Sequence, residues 1–346
     1  MSLENQLLKW YLINKRDLPW RQNKDPYSVW ISEIILQQTR VSQGTQYYNN
    51  FMKRFPNIEE LSISKESEVL KAWQGLGYYN RAINLHKTSR EIFKNLNGIF
   101  PSKYEDLIKL KGIGDYTASA ISSICFDEYN PVVDGNVLRF LTRYYGIKDP
   151  IDSKTTQNKV KEIGKKLIDK TDSPGDFNQA MMEFGALICT PFPDCNSCVL
   201  SSKCISLNNN EVEKIPVKLK KKKTKERFLN YIVLIDKKNN TIVEKRVEKD
   251  IWFKLNQFPL IETNFKVVDI MRMSSFKKFI NSQKTPIKIE KYSRHNVKHV
   301  LSHQILQITF HKFKIEKEIS SGVNLSQLSN YNFPVPINNF INKKLF

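Results

Sequence analysis

Nothing in the 346-residue sequence approaches the run of roughly 18–20 apolar residues that a membrane-spanning helix needs, which excludes a helical membrane anchor within it. The opening stretch MSLENQLLKWYLINKRDLPW lacks the basic-then-apolar order of a signal peptide. It reads as an amphipathic helix with Leu3, Leu7, Trp10 and Tyr11 on one side, and a cytosolic location is expected. Acidic residues are scarce: 35 Asp and Glu stand against 55 Lys and Arg, a net charge of +20. Such an excess suits a polyanionic partner, because each neutralised phosphate releases condensed counterions, although a Lys/Asn-rich composition alone would also produce it. Cysteine is scarce as well. Of five, four (Cys189, Cys195, Cys198 and Cys204) fall within sixteen residues, whereas a disulfide framework spreads its cysteines through a small secreted domain. Clustered thiols in a cytosolic chain point to metal.

Residues 1–208 read as helical nearly throughout. The apolar period predicts helices over 29–37, 43–55, 65–73, 82–96, 104–110, 116–126, 136–145, 156–169 and 177–188. Ser28 is expected to cap the second helix, Ser64 to open the fourth, and Pro174 to begin the last. From 209 to 227 the texture turns polar and lysine-rich, as in an interdomain linker. Beyond it, Phe228–Ile235 and Thr241–Val247 flank Asp236-Lys237-Lys238-Asn239-Asn240 and predict a β-hairpin. Further strand-like runs at Ile287–Tyr292 and Leu306–Phe313 make 228–346 a separate, smaller α+β domain.

The cysteine spacing is C-x5-C-x2-C-x5-C. Four thiolates on a short loop suit either tetrahedral zinc or a [4Fe–4S] cubane. Zinc sites usually pair two separated C-x2-C hairpins, and only one close pair exists here. The fifth cysteine, Cys125, sits in the apolar run AISSICF and is expected to be a buried core thiol.

Leu110-Lys111-Gly112-Ile113-Gly114-Asp115-Tyr116 joins two helical segments. Gly112 and Gly114 let the backbone approach a phosphate, and the helix start that follows supplies free N–H donors. This is a helix-hairpin-helix motif for DNA. Within VWISEIILQQTRV (29–41) the single acid, Glu33, lies in a helix apolar nearly all round. Desolvation would raise its pKa and let it hold a proton near neutrality; the alternative is a narrow solvated stripe shared with Ser32 and Gln37. Asp134, in PVVDGNVLRFL, starts a helix, and the capping N–H groups would keep it ionised. One protonated and one ionised carboxyl is the pairing that glycosidic cleavage uses.

The segments SEIILQQT, GLGYYNRA, KGIGDYTASAI, VVDGNVLR and the cysteine loop occur in the order and spacing of adenine DNA glycosylases of the MutY type, within the endonuclease III superfamily. The likeness is strong over 1–208 and weaker over 228–346. It implies a mostly α, two-lobed helix-hairpin-helix glycosylase followed by an α+β Nudix-like domain. One lobe would be a six-helix barrel (22–130), the other an iron–sulfur lobe (1–21 with 131–208), with DNA held between them. The first cysteine gap holds five residues where the family generally has six. Members that also cut the strand carry a lysine just after the hairpin to form a Schiff base; Tyr116 stands there, which implies base removal alone. The resemblance makes Glu33 the general acid toward adenine N7 and Asp134 the stabiliser of the sugar cation, or its covalent partner, with Tyr116 and Asn136 orienting them. It places Trp20, Arg21, Leu36 and Gln179 around adenine, with Glu183 structural. Gln38, Thr39 and Tyr78 fall at the opposite strand, and Gly75 and Gly77 permit the backbone approach there. In the C-terminal domain, Ser302 and His303 match a Phe-Ser-His loop that probes 8-oxoguanine, with Leu301 replacing the phenylalanine. The Nudix metal box is absent, so that domain should bind rather than hydrolyse. His295, His299 and His311 are expected to be surface or packing residues. The partner implied is duplex DNA with adenine opposite 8-oxoguanine or guanine, met by a monomer; the alternative is a related glycosylase for thymine in G·T or for oxidised pyrimidines.

Overall fold

The structure, a computed structural model, describes residues 1–37, 39–219, 224–283, 287–319 and 321–345. The chain divides into two compact units, Met1–Ala72 with Arg81–Lys221 and Trp73–Asn80 with Lys222–Phe346. None of the described helices is long and apolar enough to cross a membrane.

The first unit is helical: α1 (Leu3–Asn14), α2 (Pro26–Leu36), α3 (Val41–Arg54), α4 (Ile58–Ile63), α5 (Glu66–Ala72), α6 (Asn80–Asn95), α7 (Tyr104–Leu107), α8 (Asp115–Phe126), α9 (Gly135–Tyr144), α10 (Lys154–Ile168), α11 (Pro174–Leu187) and α12 (Ile205–Asn208). Two helix starts differ from expectation. Asp25, not Ser28, caps α2, accepting from Tyr27 and Ser28 N–H with Pro26 in the first position. Ser28 is buried in the first turn, its hydroxyl 2.6 Å from that of Tyr48. Ser64 ends α4 and bonds back to the Leu61 carbonyl; the Lys65 carbonyl accepts the first bonds of α5. Pro174 does open α11.

One core of this unit joins α1, α9, α10 and α11. Phe184 meets Trp10 and Phe140 edge-on at centroid distances of 5.1 and 5.0 Å, and Cys189, Cys198 and Cys204 pack against the same cluster. The approach of α11 to α9 depends on Gly185, where a Cβ would stand 2.6 Å from the Asn136 carbonyl oxygen. Any larger residue would push α9 away, and Asp134 with it.

The second unit is built on a mixed sheet. Its strands are β1 (Lys225–Ile235), β2 (Asn240–Thr241), β3 (Glu244–Lys245), β4 (Asn256–Gln257), β5 (Leu260–Thr263), β6 (Ile289–Val300), β7 (Gln304–Ile315) and β8 (Val323–Asn324), with helices α13 (Ser274–Asn281) and α14 (Val335–Phe340). The main sheet runs β5-β1-β7-β6, with β1 parallel to β7 and the other pairs antiparallel. The hairpin expected at 228–247 does not form. Asp236 does organise a turn, its carboxylate accepting from Lys238 and Asn240 N–H, but the chain leaving it pairs with Val323–Asn324. The two long strands β6 and β7 make the hairpin of this unit instead, closed by Leu301–His303.

Candidate active site

Nine consecutive residues of α2, Tyr27 to Ile35, are buried. No solvated stripe exists: Ser32 is 0% and Glu33 7% exposed. Burial is the chief cause that lifts the Glu33 carboxyl to about 7; the Asp134 charge adds to it, while the Tyr116 hydroxyl and the Arg21 charge oppose it. Tyr116, on α8 just beyond the glycine hairpin, donates to Glu33 Oε2 at 2.6 Å and lies 3.5 Å from Met182 Sδ on α11. Burial and the neighbouring Glu33 and Asp134 hold its phenol well above the ordinary range. The end of α2 is fixed by Arg81, which donates to the Ile34 and Gln37 carbonyls at 2.7 and 2.6 Å, a cation at a helix C-terminus.

Asp134 caps α9. It accepts from the backbone N–H of Asn136 and Val137 and from the Asn136 amide, at 2.7–2.9 Å. These donors favour its ionised form, against burial, which outweighs them so that the net direction is upward. Asn136 is held in turn by Arg139, which donates to its Oδ1 at 2.8 Å and also to the Cys189 carbonyl at 2.7 Å. Three bonds thus lead from the carboxylate to the cysteine loop.

Arg21, in the short 3-10 helix Pro19–Arg21, donates to Glu183 Oε2 at 2.9 Å. Glu183 also accepts from Arg16, through its Nε, a terminal nitrogen and its backbone N–H, at 2.7–3.0 Å. Trp20 is buried edge-on against Tyr48. Leu36 and Gln179 are half-buried at the end of α2 and on α11. Thr39 is half-buried, its N–H bonded to the Leu36 carbonyl; Gln38 lies outside the described residues.

In the hairpin, Gly112 has φ +83° and would drive a Cβ to 2.7 Å from that of Asn84, so only glycine fits. Gly114 caps α8 with open space beside it. Within the second unit, Gly75, Tyr78 and Gly77 all take positive φ, and Tyr78 is 45% exposed while Tyr79 is buried. The hydroxyls of Tyr78 and Ser302 share a hydrogen bond, and Ser302 Oγ lies 3.3 Å from His303 Nδ1. Leu301 and His303 line a cavity of about 320 Å³ with Tyr78 and Trp252. His311 is buried between Tyr292 and Asn230, a packing residue.

The four clustered cysteines line one cleft. Among the described residues no group of three or more His, Cys, Asp or Glu side chains is arranged to hold a single metal ion. Arg143, 3% exposed, aims its guanidinium at this loop, donating to the Thr190 and Pro191 carbonyls and, at 3.6 Å, to Cys189 Sγ. A buried cation beside four thiols fits a group that carries net negative charge. Cys125 is half-buried at the end of α8, rather than fully enclosed, and burial pushes its thiol up to about 12.

Sequence reasoning singled out neither Arg139, Arg143, Arg81 nor Met182, and it gave Glu183 no part in the site. Only a three-dimensional contact distinguishes such arginines from the many others of a basic chain.

Residues 31–166 match the family model "HhH-GPD superfamily base excision DNA repair protein", and 230–343 match that of the NUDIX domain. Among solved structures, a thermostable thymine-DNA glycosylase is 27% identical with a TM-score of 0.53, covering 60% of this chain and 95% of that one. Adenine DNA glycosylase of Buchnera aphidicola subsp. Schizaphis graminum is 40% identical over 96% of this chain and 95% of the relative. That of Buchnera aphidicola subsp. Baizongia pistaciae is 38% identical over 97% and 95%. With likeness of this degree running along practically the full length of both partners, the chain belongs to the adenine DNA glycosylases, enzymes of base excision repair.

Proposed function

We propose that this enzyme excises adenine where it faces 8-oxoguanine or guanine, and that its chemistry ends at base removal. The observation that carries the reading is the buried Glu33 bonded to Tyr116, with Asp134 near enough to bias both. Adenine must first leave the stack. Glu33, protonated near neutrality, gives its proton to N7 and turns the base into a neutral leaving group. As the glycosidic bond lengthens, positive charge spreads over C1′ and the ring oxygen, where ionised Asp134 stabilises it. Three donors on Asp134 against one on Glu33 support Glu33 as the member of the pair that carries the proton. Water then adds to C1′, and the proton it releases returns to the Glu33 carboxylate. Tyr116 offers no amine for a Schiff base, which supports a monofunctional reaction.

Gln179, Trp20, Arg21 and Leu36 would frame the adenine, while Gln38, Thr39 and Tyr78 act at the opposite strand. The Tyr78–Ser302 bond and the exposed His303 support lesion probing by the second unit. Gly112 and Gly114 would seat a phosphate. Cys189, Cys195, Cys198 and Cys204 would hold one [4Fe–4S] cluster; four thiols lining one cleft, with the buried Arg143 guanidinium among them, support it. When bound, it cross-links the loop and contributes folding free energy. The same reading takes 1–208 as the catalytic domain, with its 22–130 and 1–21 plus 131–208 lobes, 209–227 as a linker and 228–346 as the recognition domain.

The test is base release from duplexes carrying A·8-oxoG, A·G, G·T or an oxidised pyrimidine, for the wild type and Glu33→Gln. Adenine release that the variant loses, with no borohydride-trapped adduct, is expected. Preferred release of thymine or an oxidised pyrimidine would overturn the substrate, and normal turnover by Glu33→Gln would overturn the acid.

A further inference from the structure

Glu183 is 1% exposed, yet no step of the proposed reaction uses it. It receives four hydrogen bonds, three from Arg16 and one from Arg21, and these hold its carboxyl down at about 2. A buried carboxylate balanced by two guanidinium groups is costly to assemble and costly to break. Its place on α11 adds to this. The residue before it, Met182, touches the Tyr116 hydroxyl, which bonds Glu33. Arg21 has Glu183 on one side, the Tyr11 ring 5.7 Å away, and a charge felt by Glu33.

We propose that Glu183 is a positioning residue for the reaction: from its place on α11 next to Met182, which touches the Tyr116 hydroxyl bonded to Glu33, it clamps Arg16 and Arg21 and keeps the Arg21 guanidinium, whose charge reaches Glu33, oriented and largely neutralised. The inference rests on Glu33 being the general acid. An unclamped Arg21 would present a whole positive charge to Glu33 and favour its ionised form. The groups facing Glu33 are Tyr116 from α8, Asp134 from the start of α9, Arg21 from the 3-10 turn and, at longer range, Cys125. Those facing Glu183 are Arg16, Arg21 and Tyr11.

Two variants separate this role from plain scaffolding, because they shift Glu33 in opposite senses. Glu183→Gln removes the negative partner, so Glu33 should lose its proton at lower pH. Arg16→Gln, at a side chain one third exposed, leaves Glu183 wholly to Arg21, so Glu33 should lose its proton at higher pH. Each displacement should reach roughly half a pH unit, less than the one to three units of a charge in direct contact. The measurement is the titration of the Glu33 carboxyl by 13C NMR, its resonance identified as the one missing in Glu33→Gln. The high-pH fall of the single-turnover rate on an A·8-oxoG duplex is followed in parallel. Opposite displacements in both readouts support the proposal. A Glu33 resonance unmoved in either variant, with only the melting temperature lowered, overturns it. If Glu183→Gln does not fold, Arg16→Gln alone decides by the sign of its displacement. Should Glu33→Gln stay active, the acid reading fails by itself, and the resonance still reports whether the clamp acts on that carboxyl.

Discussion

Tyr116 donates a hydrogen bond to Glu33 Oε2 at 2.6 Å, joining the helix that follows the glycine hairpin to the only acid of α2. That bond favours the ionised carboxyl, against burial, which favours the neutral one. Tyr116→Phe should therefore raise the pKa of Glu33 above its value of about 7 and carry the high-pH fall in rate upward by about one pH unit, the worth of a hydrogen bond to a charged group. A pH–rate profile under single turnover checks it; an unchanged profile would show that the bond does not govern the acid.

The wild-type profile itself follows from the same carboxyl. A general acid titrating near 7 supports base release below that pH and loses it about tenfold per unit above. A rate that stays level to pH 9 would contradict the assignment.

Asp134→Asn keeps a helix cap, since an amide oxygen still accepts from the Asn136 and Val137 N–H groups. Folding and DNA binding should persist, while adenine release falls by about 10²–10³, as when a transition-state stabiliser is removed. Gel-shift and release assays on one preparation separate the two effects.

His311 offers a prediction about stability. Burial lowers its imidazole from 6.5 to about 4. The unfolded chain therefore takes up the proton first as pH falls. The contribution is complete above pH 6.5 and is lost between there and pH 4, on the order of 3 kcal/mol. Urea midpoints of the unit that contains β7 should drop across that window in the wild type and stay nearly level in His311→Gln.

Leu301 and Ser302 set the fifth expectation. Ser302→Ala removes the partner of Tyr78 and should narrow the preference for A·8-oxoG over A·G, while Leu301→Phe, adding an aromatic face beside the cavity, should widen it. The ratio of single-turnover rates on the two duplexes is the readout, and identical ratios in all three proteins would remove this loop from recognition.

Much of the helical unit was legible because burial there writes itself as period. The predicted 82–96, 116–126 and 156–169 match α6, α8 and α10 within two residues at each end. Glu33 stood out as one acid among apolar neighbours, but its burial was not legible: a narrow solvated stripe fits the same pattern, and only the packing around α2 decides. Starts of helices were less legible: Ser28 and Asp25 are both capping types, and which one caps depends on Pro26 entering the first turn. The C-terminal hairpin misled because its turn residues are real, yet β1 lies between β5 and β7 and leaves no edge for Thr241–Val247. Glu183 escaped because its meaning lies in partners 162 and 167 positions away.

That central position of β1 also bears on how the molecule is made. Its parallel partner begins at Gln304, about eighty positions downstream of Lys225. During synthesis β1 must therefore leave the ribosome and wait, its apolar residues uncovered, until β7 emerges. The core that joins α1, α9, α10 and α11 draws on residues up to Cys204, so the nascent chain should acquire its Glu33–Tyr116 pair before its sheet.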